Sequence, residues 1–147
     1  MRVATDAIVV NKRKEVLVIQ RKLDSNAFPG EWAFPGGAME DDDPRVWSCC
    51  KRELQEETGI LAHNYRFVNF FDTMMRDPRG RVISFAYLII VEDPIVKPGD
   101  DAVAYKWIPF QDLMSWASVE ARVKLAFDHN YIMGYAYYKY PELFRDE

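Results

Sequence analysis

The order in which β-rich and helical segments follow one another limits the folds open to this chain more than any other feature. The runs "VATDAIVV" and "EVLVIQR" are dense in β-branched residues and are separated by the polar "NKRK", a pattern that predicts two strands joined by a tight turn. Next, "KLDSNAFPGEWAFPGG" gathers turn-forming residues around a short "EWAF", so a loop, a short strand and a second, glycine-bearing loop are expected. In "DDDPRVWSCCKRELQEETGI", acidic residues stand before Pro44 and Gly59 follows, the start and stop signals of a helix over 44–58. Two apolar β-rich runs come next, "YRFVNFFDTMMR" and "RVISFAYLIIVED", joined across "DPRG" as a hairpin or a longer strand pair. After "PIVKPGDD", the run "AVAYKWIPF" predicts one more strand, and "SVEARVKLAFDHNYIMGYAYY" a closing helix. Strands before, between and after two helices imply an α/β fold in which helices cover both faces of a mixed sheet, an α/β/α sandwich. These patterns leave the strand order open.

With 147 residues the chain is the size of one domain, and a single domain over 1–147 is expected. Its 49% apolar and 14% aromatic content is far from that of a disordered chain, so it can bury a sizeable core. The net charge is −4, and Lys and Arg are scattered, leaving no basic stripe to neutralise a run of nucleic-acid phosphates. DNA is therefore not an expected partner, although an acidic protein can bind a polyphosphate where a divalent cation inverts the local charge. Cys49 and Cys50 are adjacent, a spacing poorly suited to a disulfide and lacking the C-x-x-C pattern of a zinc or redox site. They read as reduced thiols of a cytoplasmic protein. The opening segment is interrupted by Asp6 and no run of about 18 apolar residues occurs, so neither a signal peptide nor a membrane span is expected.

The helix predicted over 44–58 crowds Glu53, Glu56 and Glu57 together. At about 100° per residue these carboxylates share one helix face. Like charges at i and i+4 oppose helix formation, and the C-terminal end of the macrodipole disfavours anions. A bound cation would relieve both costs. Carboxylates without histidine or thiolate suit a hard ion, Mg²⁺ or Mn²⁺, and Mg²⁺ is commonly shared between a few carboxylates and substrate phosphates. An ordinary solvated acidic face is the alternative for these residues taken alone.

In its wider context, "GGAMEDDDPRVWSCCKRELQEETGI", the segment resembles the signature of the Nudix hydrolases. That signature is a glycine, five residues, a glutamate, seven residues, then R-E, an apolar residue, any residue, E-E, any residue, G and an apolar residue. Arg52, Glu53, Leu54, Glu56, Glu57, Gly59 and Ile60 match its second half. The first half departs: counting from Gly37, Asp43 stands at the glutamate position, and eight residues rather than seven separate it from Arg52. The resemblance implies a Nudix-type α/β/α sandwich with a mixed sheet. It also implies a loop-helix-loop in which Glu53 and Glu57, helped by Glu56, hold divalent metal, with the backbone near Gly37 as a further ligand. Arg52 is then expected to pair with the first glutamate and fix its orientation.

Nudix enzymes hydrolyse a nucleoside diphosphate linked to another group, with water attacking phosphorus. Glu56, the glutamate least committed to ligation, is the first candidate for activating that water, and Asp101 in "KPGDDAVAYKW" is its rival. The flanks "FPGEWAFPGG", "DPRGRVISFAYLIIV", "DDAVAYKWIPF" and "LAFDHNYI" resemble the ADP-ribose pyrophosphatase branch and the Nudix-type regulators that bind ADP-ribose. This resemblance implies Mg²⁺-dependent cleavage of ADP-ribose or a related ADP-containing dinucleotide to AMP and a phosphorylated product. Arg21, Arg79 and Arg81 are the candidates for the diphosphate, with surface solvation the alternative for each. Phe28 or Trp32 would stack on adenine, against core packing or loop anchoring. His129 is a candidate pocket residue, against an ordinary hydrogen-bonded structural role. The aromatic "YIMGYAYYKY" reads as core or subunit interface, and a homodimer is expected on the family's habit. Two rival functions stand beside this one: an ADP-ribose sensor without catalysis, and a nucleoside triphosphate or RNA-cap pyrophosphohydrolase.

Overall fold

The computed structural model describes residues 1–99, 102–116 and 118–145. Seven strands form one mixed sheet: β1 (Arg2–Val10), β2 (Glu15–Arg21), β3 (Trp32–Ala33), β4 (Gly36–Ala38), β5 (Asn64–Phe71), β6 (Val82–Ile90) and β7 (Ala102–Pro109). The helices are α1 (Val46–Thr58), α2 (Phe110–Leu113) and α3 (His129–Lys139), with a 3-10 turn at Pro141–Phe144. The main path of the sheet runs β3-β2-β1-β6-β5, with β4 on β1 and β7 on β2. β1 and β6 are parallel from Arg2↔Val82 to Val10↔Ile90, and the other pairs are antiparallel.

Alternation along the strands explains the layers. Ile8, Val10, Val16, Val18, Ala86 and Leu88 face one side, where they pack with Leu113 of α2 and Ile132, Met133 and Ala136 of α3. Their neighbours Ala7, Val9, Leu17, Tyr87 and Ile89 face the other side, against Cys50 and Leu54 of α1. Period-2 side chains thus give one sheet two separate apolar faces, each needing its own cover. The α/β expectation with helices on both faces of a mixed sheet is what the chain adopts.

The turn at "NKRK" closes as expected: Asn11 Oδ1 accepts from the N–H of Arg13 and of Glu15, each at 3.0 Å. β5 and β6 form the antiparallel pair predicted across "DPRG", with a shift of register between Phe67 and Asn69 and with β5 ending at Phe71. α1 begins two residues inside the expected span and ends on Gly59, whose left-handed φ of 75° lets its N–H reach Gln55 O at 2.9 Å.

The closing helix is shorter than its sequence suggests. It begins at His129, and residues 118–128 are not helical. Asn130 gives the reason: its Nδ2 donates to the carbonyls of Leu113 and Val123 and its Oδ1 accepts from Leu125 N–H, all at 2.8 Å. Ala126 N–H goes to Trp32 O at 2.7 Å. Leu125 and Ala126 are buried without being helical, so the apolar spacing that mimics a helix is used by a fitted loop. In α3 the apolar Ile132, Met133 and Ala136 are buried, while Tyr131 and Tyr138 are exposed. Both cysteines are free and buried, and burial raises both thiol pKa values. Among the described residues, no helix is long and apolar enough to cross a membrane.

Candidate active site

The site begins where β4 lies on β1. The pairs Ala4↔Ala38, Thr5↔Gly37 and Asp6↔Gly36 hold the glycine loop flat against β1, and α1 packs over that loop. A side chain at Gly37 would displace the Glu53 carboxylate, because its Cβ would lie 2.6 and 2.7 Å from the carboxylate oxygens. Glycine here lets the main chain touch an α1 carboxylate directly. One turn on, Glu57 Oε2 accepts from Gly36 N–H at 3.2 Å.

Arg52 ties the loop before α1 to the helix. Its Nε and Nη2 grip both oxygens of Asp43 at 3.0 and 2.8 Å, while Nη1 donates to Glu53 Oε1 at 2.9 Å and lies 3.4 Å from Glu56 Oε2. Asp43 Oδ2 also accepts Glu40 N–H at 2.8 Å, closing the loop on itself. An aspartate, one methylene shorter than glutamate, thus reaches the arginine from a loop one residue longer. The Arg52 fork, followed by the Glu40 N–H, holds the Asp43 carboxyl down to about 2. Burial instead pushes the Glu53 carboxyl up, against the pull of Arg52.

Glu53, Glu57, Gly36 and Gly37 form one side of a cavity of about 250 Å³. Arg21, Arg76 and Arg79 also line it, with Asp6, Asp77, Phe127 and His129. The guanidiniums of Arg21 and Arg79 lie 5.0 and 5.7 Å from the centre of the Phe127 ring. Phe127 and Phe28 both hold positive φ, 54° and 48°, and their rings meet at 4.7 Å. Two bulky residues in that region mark a locally imposed backbone of the kind that clusters at binding sites. Burial, and then the neighbouring Arg79, lower the pKa of Arg21. An anion between the two arginines would relieve that crowding. Arg79 is itself held by both oxygens of buried Asp77, at 3.1 and 2.9 Å. Arg76 grips Asp128 at 2.9 and 2.6 Å and donates to Ser84 at 2.8 Å.

The sequence-derived candidates distribute unevenly over this geometry. Glu53, Glu57, Gly37, Arg21, Arg79 and His129 line the cavity, and Arg52 stands behind Glu53. Glu56 does not line it; its side chain is 59% exposed and turned to Arg52. Arg81 is exposed and is not among the residues that line the cavity, although its neighbour Val82 is. Phe28 packs on Phe127, and Trp32 lies against the core with Lys106 Nζ 4.4 Å over its ring. Asp101 lies outside the described residues.

Asp6, Arg76, Asp77 and Phe127 also line the cavity, as do Arg2, Thr5 and Ser84, and none of these is among the sequence-derived candidates. Asp6 had a signal, a lone acid inside a β-branched run. Arg76 and Asp77 sit in the polar turn before β6, where charge is ordinary, and nothing local marks Phe127.

A hard cation suits this donor set. The cavity offers the carboxylate oxygens of Glu53 and Glu57 beside the main chain of Gly37, where a Cβ would press on the Glu53 carboxylate. Among the described residues, no three acidic, histidine or cysteine side chains gather closely enough to hold an ion unaided. Ligands from a bound phosphate and water are the usual complement for Mg²⁺.

The model of the NUDIX domain family matches residues 1–128 of this chain. An ADP-ribose pyrophosphatase from Methanocaldococcus jannaschii is 35% identical over 131 residues, covering 89% of this chain and 70% of that protein. A MutT/nudix family protein from Enterococcus faecalis superposes with a TM-score of 0.80 at 25% identity, over 96% of this chain and 62% of that one. The NUDIX domain of Shewanella oneidensis NrtR, solved with ADP ribose, gives a TM-score of 0.80 at 22% identity, over 93% of this chain and 86% of that one. The chain therefore spans less than two thirds of the Enterococcus protein's length.

Proposed function

Since this chain belongs to the NUDIX family, we propose that it hydrolyses the diphosphate linkage of ADP-ribose or a related ADP-containing dinucleotide, giving AMP and a phosphorylated product. The observation that carries the reading is one cavity with the carboxylates of Glu53 and Glu57 and the guanidiniums of Arg21, Arg76 and Arg79 around it. The similarity to an ADP-ribose pyrophosphatase along most of the chain supports the choice of substrate.

Glu53, Glu57 and the Gly37 carbonyl would hold Mg²⁺, with Mn²⁺ as a substitute. The chemistry such an ion supplies is neutralisation of diphosphate charge and a lower pKa for the attacking water. Arg52 sets the Glu53 carboxylate by donating to Oε1 while Asp43 fixes the arginine. Arg21 and Arg79 face the diphosphate with planar donors suited to phosphate oxygens. Arg76, spent on Asp128 and Ser84, contributes its field more than its hydrogen bonds. Glu56, which lies outside the cavity and is turned to Arg52, would have to swing inward to take the proton of the attacking water, and Asp101 is the rival acceptor; turnover by Glu56→Gln and Asp101→Asn separates the two.

The deciding experiment is chromatography of products after incubation with Mg²⁺ and ADP-ribose, NADH, FAD, diadenosine triphosphate and nucleoside triphosphates. AMP and ribose 5-phosphate from ADP-ribose are expected. Cleavage of nucleoside triphosphates alone, or binding of ADP-ribose without turnover, would overturn the reading in favour of a triphosphate hydrolase or a sensor. Glu57→Gln should keep the fold and lose at least about a hundredfold in kcat, because a lost metal ligand costs more than a lost partner of one.

A further inference from the structure

Phe127 holds a backbone conformation that a bulky residue rarely adopts, with a φ of 54°. Such a conformation persists only where its surroundings leave no alternative, and here the chain is tied on both sides of it. Before it, Ala126 N–H donates to Trp32 O at 2.7 Å. After it, Asp128 accepts from Arg76 at 2.9 and 2.6 Å. His129 accepts Phe34 N–H on Nδ1 at 3.0 Å, and its Nε2 lies 3.2 Å from Asp6 Oδ1. Segments from β1, β3 and the turn before β6 thus converge on the neighbours of one residue. The ring itself is only half-buried and belongs to neither apolar core. What the imposed backbone secures is the place of that ring at the cavity wall.

Two cations share the ring. The guanidinium carbons of Arg21 and Arg79 lie 5.0 and 5.7 Å from its centre, within the range at which an aromatic quadrupole attracts a positive charge. The two arginines repel each other, and the charge of Arg79, after burial, lowers the Arg21 pKa. Each guanidinium is anchored along one edge: Arg21 by Nε to the Ala27 carbonyl at 2.8 Å, Arg79 by Nε and Nη2 to Asp77 at 3.1 and 2.9 Å. One anchored edge leaves the plane free to tilt, and the ring supplies a second constraint. The other Nη donors of both arginines have no acceptor among the described residues. Arg21 also feels the charge of Glu57, which puts the pair towards the carboxylate end of the cavity, where a diphosphate would lie. We propose that Phe127 is a positioning residue whose ring holds Arg21 and Arg79 together as a pair set to receive the diphosphate. An aliphatic side chain would fill the same space without attracting either cation. The inference rests on the diphosphate-hydrolase reading of the same cavity.

The test measures kcat and KM of the full chain with Mg²⁺ and ADP-ribose for wild type, Phe127→Leu and Phe127→Tyr. Leucine keeps apolar bulk on the same backbone but has no π face, whereas tyrosine keeps the ring, with its hydroxyl at a half-buried site. Phe127→Leu should raise KM about 5- to 20-fold with a much smaller change in kcat, because the diphosphate carries its charge before as well as during the reaction. Phe127→Tyr should recover most of that loss. In an Arg21→Gln background the factor lost to Phe127→Leu should shrink about threefold, since one of the two cations is gone. A leucine variant with wild-type KM, a tyrosine variant as impaired as leucine, or a leucine effect unchanged by Arg21→Gln overturns the assignment. Thermal melting checks the fold; if Phe127→Leu does not fold, Phe127→Asn, which tolerates a positive φ, takes its place under the same criteria. Should ADP-ribose not be cleaved while another nucleoside di- or triphosphate is, the ADP-ribose reading fails and KM for that substrate decides on Phe127. If ADP-ribose is bound without being cleaved, the hydrolase reading fails and its calorimetric Kd decides in place of KM. A protein that neither binds nor cleaves any of them overturns both.

Discussion

Gly36 and Gly37 are neighbours whose missing side chains protect different things. A Cβ at Gly36 would run into the main-chain carbonyl of Thr5 on β1, whereas one at Gly37 would press on the Glu53 carboxylate, the movable end of a side chain. Gly36→Ala is therefore expected to destabilise by about 2 kcal/mol or more, as a backbone conflict does. Gly37→Ala should shift the melting temperature by only a few degrees, yet lower kcat about tenfold or more by displacing a carboxylate from its working position. Melting curves and turnover on both variants check this, and equal stability losses would contradict it. At this scale the sequence is informative where chemistry clusters locally: Arg52, Glu53 and Glu57 declare themselves by spacing on one helix. Arg76, Asp77 and Phe127 do not, since they meet only after distant segments have folded onto the same cavity.

Among the elements, the loop leading into α1 shows how a departure from a signature is accommodated. Asp43 and Arg52 meet with two short hydrogen bonds, and the Arg52 fork lowers the Asp43 carboxyl from its ordinary 3.8 to about 2. Because the folded value is the depressed one, the stabilisation is complete above about pH 4 and is lost as pH falls through about 2. The melting-temperature gap between wild type and Asp43→Asn should hold from pH 7 to about 5 and close towards about pH 2. A gap that ignores pH would disprove the pairing. Beyond the sheet, Asn130 does for residues 118–128 what a helix ladder would otherwise do, satisfying two carbonyls and one N–H. Asn130→Ala leaves three part-buried backbone groups to find other partners, an expected loss of about 1–3 kcal/mol in chemical denaturation. This is also why periodicity misled there: Val123, Leu125 and Ala126 supply apolar residues at helical spacing, but the backbone is bonded to α2 and β3 instead. The strands of β1, β2 and β6 were legible because alternation is local, while the parallel union of β1 with β6 joins segments some 80 residues apart and leaves no local trace.

For the whole molecule, the consequence of a sheet with two apolar faces is that two cores share strands without sharing contacts. Leu54 of α1 and Ile132 of α3 are both fully buried, each in the core on its own side of the sheet. Leu54→Ala should cost about 2–5 kcal/mol and Ile132→Val about 0.5–1.5 kcal/mol, through lost burial and incomplete collapse. Side chains that do not touch and share no cavity add, so the double variant should lose the sum of the two within about 0.5 kcal/mol. The catalytic consequences are expected to be unequal. α1 carries Arg52, Glu53 and Glu57 on the turns that flank Leu54, so a void beneath that residue lets the carboxylates drift, whereas a trimmed methyl under α3 leaves His129, one turn earlier, anchored by Phe34 N–H and Asp6. Turnover measured well below the melting transition should fall for Leu54→Ala and stay within about twofold of wild type for Ile132→Val. Strong non-additivity in stability would mean that the sheet transmits strain between its faces, and equal losses of turnover would mean that the cavity depends on both cores alike.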